Sequence, residues 1–151
     1  MIVYLDTSSL VKLFLDEAGS LAVVEQVDDA DVVITLSLAY TEARAALARR
    51  RRDLAPRQHA EAKRAFLGLW PALLVYDVDD GLCRRAGELA EQYRLRAYDS
   101  LHLAAYEAVA RDAAPEPVMF SSADAALNRA AAAVARRLTR YGARGPSLPT
   151  A

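Results

Sequence analysis

Residues 2–9 read Ile2-Val3-Tyr4-Leu5-Asp6-Thr7-Ser8-Ser9, and this stretch decides the fold. Four apolar residues run without alternation, the pattern of a strand buried on both faces, as in a parallel sheet. The run stops at a carboxylate followed by three hydroxyl residues. Ser8 or Ser9 is placed to cap a helix reaching about Leu15. A strand that ends in polar residues at a helix start presents those residues at the carboxyl edge of the sheet, where open parallel sheets bind their ligands.

The same alternation recurs outward from this stretch. Gly19-Ser20 ends the first helix and a second short one covers about 21–28. Val32-Val33-Ile34-Thr35 reads as a second buried strand, and Ser37 precedes a long helix carrying Glu42. Pro56 suits the first turn of a helix ending near Trp70-Pro71. Leu73-Leu74-Val75-Tyr76 reads as a third strand. Asp79 or Asp80 caps a helix to about Tyr93, and residues 98–112 form another. Pro117-Val118-Met119-Phe120 reads as the fourth strand, with a helix over 123–140. Four strands alternating with helices predict an α/β domain with a mainly parallel sheet between helical layers. A single domain over residues 1–141 and an irregular tail over 142–151 are expected.

Composition narrows the class. The chain has 151 residues, of which 54% are hydrophobic and 26% charged, enough apolar surface for one core. Mean hydropathy is +0.03. No apolar run reaches the 18 or more residues of a membrane span, and no basic, apolar leader opens the chain. Cys83 is the single cysteine, which excludes an internal disulfide or a multi-cysteine zinc site and reads as a small core residue. The cytoplasm is the expected compartment. Net charge is −1, but residues 125–151 hold five arginines and no acid, whereas residues 1–124 hold fourteen basic and twenty acidic residues. Such separation suits a polyanionic substrate or a protein partner.

Four carboxylates stand out: Asp6, Asp99 and Asp124 at predicted strand ends or helix starts, and Glu42 inside the helix that follows the second strand. Two unit charges about 6 Å apart repel by roughly 3 kcal/mol at an effective dielectric near 20. Four in one pocket therefore call for a cation, and oxygen ligands without a Cys or His cluster favour a hard ion such as Mg²⁺ or Mn²⁺. Such a site suits phosphodiester cleavage. Each acid also has a plainer reading: Asp6, Asp99 and Asp124 as helix caps, Glu42 as a surface charge.

Tyr4-Leu5-Asp6-Thr7-Ser8, then Thr41-Glu42, then Tyr98-Asp99-Ser100-Leu101-His102-Leu103-Ala104, then Phe120-Ser121-Ser122-Ala123-Asp124 together resemble the PIN-domain signature, most of all that of VapC-type toxins of toxin–antitoxin pairs. The resemblance implies a three-layer α/β/α sandwich with a four- or five-stranded sheet. It implies an endoribonuclease that hydrolyses RNA with a metal-activated water, with Mg²⁺ as cofactor and Mn²⁺ as a substitute. It implies a VapB-type antitoxin, and a homodimer. Asp6, Glu42, Asp99 and Asp124 match the family's acidic, metal-binding and catalytic positions, and Ser8 and Ser122 its supporting hydroxyls. The chain departs from the family in having Ser100 after the third acid, and in the Ala- and Arg-rich run that follows Asp124.

Other residues divide between plain and functional readings. Arg49 and Arg50, in the run Arg49–Arg52, and Arg129 and Arg136 are candidates for RNA backbone contact. His102, one turn after Asp99, reads as a buried hydrogen-bonding histidine, with a base or ligand as the sharper reading. His59 reads as incidental, and Asp16-Glu17 as a solvated helix end. The apolar Leu10, Val11, Phe14, Leu21, Val23 and Val24 read as core or, in part, as a partner surface. Two further functions compete. One is a catalytically weak PIN-like module binding RNA or protein. The other is a phosphatase using Asp6, which Ser8 disfavours because haloacid-dehalogenase-like phosphatases carry Asp two residues after the first.

Overall fold

The computed structural model of the chain describes residues 1–142. Strand β1 (Ile2–Leu5) is followed by α1 (Thr7–Val11), α2 (Ser20–Asp28), β2 (Val32–Leu36), α3 (Leu38–Arg49) and α4 (Pro56–Leu69). Then come β3 (Leu74–Tyr76), α5 (Asp80–Tyr93), α6 (Ala97–Asp112), β4 (Val118–Ser121) and α7 (Ala125–Gly142), with short 3₁₀ turns at Arg50–Arg52 and Trp70–Ala72. The described residues form one four-stranded sheet in the order β3-β2-β1-β4, parallel throughout. Gly142 closes α7 rather than opening the tail. The rest of the expected tail, where a fifth strand would lie, falls outside the described residues.

The unalternating strand behaves as its pattern requires. Val3 and Leu5 pack with α1, α2, α3 and α4 on one face, and Tyr4 packs with α5, α6 and α7 on the other. All three are fully buried. The outcome is the helix–sheet–helix sandwich. On one side Phe66 meets Phe14, Tyr40 and Trp70 at 5.5–5.7 Å between ring centres. On the other, Tyr4 stacks on Phe120 at 5.6 Å. Leu10, Val11 and Val23 enter the core, whereas Leu21 stays 80% and Val24 38% exposed.

The strand order has a direct consequence for function. The chain moves outward from β1 to β2 and β3, then returns to place β4 on the other side of β1. The carboxyl ends of β1 and β4 are thus the switch point where such sheets open a crevice. Leu5 pairs with Ser121, and the Asp6 N–H extends the ladder to the Ser121 carbonyl at 3.1 Å.

Several local expectations are corrected. The cap of α1 is Asp6, whose carboxylate accepts the Ser9 N–H, and the regular helix stops at Val11. Ser37 precedes α3 in helical backbone and gives no side-chain cap. Cys83 is exposed: the core face of α5 is Leu82, Ala86 and Leu89, and Cys83 falls about 100° off that stripe. His59 is a tether, its Nε2 lying 3.0 Å from the Leu47 carbonyl at the end of α3. Asp79 caps α5 as expected, accepting the Leu82 N–H at 2.7 Å. Asp79→Ala should cost about 1 kcal/mol, read as a lower urea midpoint with an unchanged slope.

Candidate active site

Asp6 is placed by the sheet and held by hydroxyls. It is 5% exposed. Ser8 Oγ donates to Asp6 Oδ1 at 2.7 Å and Ser122 Oγ donates to Asp6 Oδ2 at 2.7 Å. Ser8 Oγ in turn accepts the Ala123 N–H at 2.8 Å. The β1 and β4 loops are therefore laced together around one carboxylate. Both serines singled out in the sequence stand on Asp6.

A cleft of about 510 Å³ opens here, and Asp6, Glu42 and Asp99 line it together with Thr7, Ser8 and His102. Glu42 reaches it from α3, on the opposite helical layer from Asp99 on α6. Thr7 Oγ1 donates to Glu42 Oε2, and His102 Nε2 lies 3.3 Å from the same oxygen. Burial pushes the Glu42 carboxyl up, but the hydrogen bonds from His102 and Thr7 outweigh it and hold the group below the ordinary glutamate value. Asp99 goes the other way. Burial first, then the charges of Asp124 and Asp6, raise it above the usual carboxylate value, and nearby Arg96 offsets this only in part.

Asp124 follows its plainer reading. It is exposed and accepts the N–H groups of Ala126 and Leu127 at 2.7 and 2.9 Å, capping α7. It does not line the cleft, although its charge reaches Asp99. Among the described residues, no three His, Cys, Asp or Glu groups stand close enough to grip one metal ion together. Three of the four carboxylates expected from sequence, Asp6, Glu42 and Asp99, thus share a cleft without closing into a cage. Asp6, Glu42 and Asp124 each take donors from the protein. The donor set still suits a hard divalent cation. It is rich in oxygen, and Asp99 carries charge that its surroundings leave unbalanced. An ion that retains several of its waters suits carboxylates that do not close into a cage.

The arginines divide. Arg49 and Arg50 line the cleft as expected, Arg50 donating to Glu17 at 2.6 Å. Arg129 and Arg136 are exposed on α7 and line neither this cleft nor the larger groove described below. Sequence reasoning passed over Thr7 and Arg96, which line the cleft, and read Glu17 as a solvated helix end, whereas it lines the cleft and accepts from Arg50. Thr7 and Arg96 carried a signal, one adjacent to Asp6 and the other one turn before Asp99. No pattern joins Glu17 to Arg50 across the intervening chain.

The PIN domain family model matches residues 3–133, which span every element that forms the cleft. The chain belongs to the PIN-domain family. Within it the VapC type is the match. Ribonuclease VapC45 of Mycobacterium tuberculosis is 37% identical over 110 residues, covering 72% of this chain and 76% of the relative. Ribonuclease VapC49, from another strain of that species, matches to the same extent. The stretch matched by the PIN family contains Asp6, Glu42, Asp99 and Asp124.

Proposed function

We propose that this PIN domain is a metal-dependent endoribonuclease, the toxin of a VapC-type toxin–antitoxin pair. The observation that carries the proposal is the cleft at the β1–β4 switch point, where Asp6, Glu42 and Asp99 from three separate elements face one space. Asp6, Glu42 and Asp99 would hold a divalent ion, Mg²⁺ or in its place Mn²⁺, with Asp124 at the periphery. When bound, such an ion makes water more acidic and offsets negative charge building on a phosphate. The chain's own residues do the rest. Ser8 and Ser122 keep the Asp6 carboxylate oriented, and Thr7 does the same for Glu42. Arg49, Arg50 and Arg96 at the cleft supply cations for the RNA backbone, with Arg129 and Arg136 further out on α7.

The partner is a VapB-type antitoxin. The exposed Leu21 and Val24 of α2 offer it an apolar patch that the core does not use. A homodimer and a cytoplasmic setting complete the proposal. Among the described residues no helix is long and apolar enough to cross a membrane.

The test is cleavage of structured and unstructured RNAs by the purified chain with Mg²⁺, with Mn²⁺ and with EDTA. Cutting with either metal and none with EDTA is expected. Folded, antitoxin-free protein that neither cuts RNA nor binds Mn²⁺ would overturn it. That the described residues hold no closed three-group cage favours a second reading, a weakly catalytic RNA- or protein-binding module, and the same outcome would support that one. A further expectation concerns Arg96. Arg96→Ala should raise KM for RNA a few-fold, leave kcat unchanged, and flatten the salt dependence of binding by about one unit of slope.

A further inference from the structure

His102 sits on α6 three residues after Asp99 and is 3% exposed. Both ring nitrogens are occupied, and by different parts of the fold. Nδ1 lies 3.1 Å from the Tyr4 hydroxyl. Nε2 lies 3.1 Å from Thr7 Oγ1 and 3.3 Å from Glu42 Oε2. The proton inventory has one consistent solution. The single hydroxyl hydrogen of Thr7 goes to the Glu42 carboxylate, so Nε2 faces two accepting oxygens and must carry a hydrogen itself. In a neutral ring Nδ1 is then the acceptor, and Tyr4 donates to it. Tyr4 is fully buried, and burial, then Asp6 and Glu42, hold its phenol well above its ordinary pKa, so it always has that hydrogen to give. The opposite tautomer would set a lone pair against the Glu42 carboxylate and strand the Tyr4 hydrogen in a sealed core.

Glu42 belongs to α3 in one helical layer, whereas His102 and Tyr4 pack in the other. The imidazole therefore bridges the layers at the carboxyl edge of the sheet. We infer that His102, held in its Nε2–H tautomer by Tyr4, is a positioning residue that aims Glu42 into the cleft. It is not a group that meets substrate, since both nitrogens are engaged inside the protein. The inference rests on the reading of Glu42 as a site carboxylate.

The variants Glu42→Gln, His102→Gln, His102→Asn and Tyr4→Phe separate the two. Each is measured for RNA cleavage, for Mn²⁺ affinity by calorimetry with the metal alone, and for melting temperature. The Gln amide nitrogen overlies Nε2 and keeps the donor toward Glu42, whereas the Asn amide overlies Nδ1 and loses it. His102→Asn should lower kcat or Mn²⁺ affinity by about 10–100-fold, the usual effect of losing such a supporting contact, with KM for RNA unchanged. His102→Gln should recover most of the loss, a rescue that core packing alone does not predict. Nitrogen-15 NMR of the unsubstituted chain in EDTA should show Nε2 protonated and Nδ1 bare, and Tyr4→Phe should mix the tautomers. An Nδ1–H ring in the unsubstituted chain, or equal effects of His102→Gln and His102→Asn, would overturn the inference. If Glu42→Gln is impaired while His102→Asn matches the unsubstituted chain, only the positioning role falls. If Glu42→Gln itself cuts RNA and binds Mn²⁺ normally, the site reading falls with it.

Discussion

Asp99→Asn is expected to lower RNA cleavage by more than about a hundredfold, because loss of a mere supporting contact already costs about 10–100-fold at such sites. The fold should survive. Asp99 is in the first turn of α6, but the residue at the cap position is Arg96, so the change removes no capping side chain. Stability should move the other way from activity. The carboxyl is raised by burial, then by Asp124 and Asp6, so its ionised form costs stability in the folded state. That cost is present above the raised folded pKa and is absent below the unfolded value of about 3.9. Metal-free Asp99→Asn should therefore melt no lower than the unsubstituted chain at neutral pH, and any gain should vanish on acidification. Saturating Mg²⁺ should raise the melting temperature of the unsubstituted chain, since a ligand held at 100 times its Kd adds about 2.7 kcal/mol. The asparagine variant should not respond. Wild-type cleavage by Asp99→Asn, or an equal Mg²⁺ response in both, would remove Asp99 from the site.

Glu107→Ala should be the most damaging change away from the cleft. Glu107 is 2% exposed on α6. Arg85 of α5 grips it bidentately at 2.6 and 3.0 Å, Arg137 of α7 donates to the same carboxylate, and Arg111 stands at 3.7 Å. One carboxylate thus ties together three helices of one layer, beside a groove of about 1030 Å³. Removing one partner of a buried pair strands the other charges and costs about 3–5 kcal/mol. Arg85 and Arg137 are about a third exposed and can recover some hydration, which puts the loss near the lower end, about 3 kcal/mol. At about 2–4 °C per kcal/mol, the melting temperature should fall by about 6–12 °C. Burial pushes the Glu107 carboxyl up, but the Arg85 hydrogen bonds and the charges of Arg85, Arg137 and Arg111 prevail and hold it below its ordinary value. The stabilisation is therefore complete above the unfolded glutamate pKa of about 4.3 and is lost as pH falls through the lower folded value. The gap between the two proteins should narrow only in acid. A drop of no more than a degree or two at neutral pH would show the network to be dispensable.

Much was legible before any coordinates. The unbroken apolar run Ile2–Leu5 specified a strand buried on both faces, and a strand of that kind needs a helical layer on each side. Asp6 directly after it, Glu42 inside the helix that follows the second strand, and Asp99 at the start of its helix could be placed at one edge of the sheet from chain order alone. These features are local: strand periodicity, helix starts and the right-handed return of parallel strands act within a few tens of residues. What tertiary structure alone decided is who satisfies whom. It turned Asp124 onto the first N–H groups of α7, gave Arg137 to Glu107, and put Glu17 beside Arg50. It made His102 a bridge between Tyr4 of the central strand and Glu42 of the opposite helical layer, residues distant in the chain. No sequence pattern encodes such pairings, because a carboxylate or an imidazole accepts whichever donor the packing brings within about 3 Å. That choice is made only when both faces of the sheet are covered.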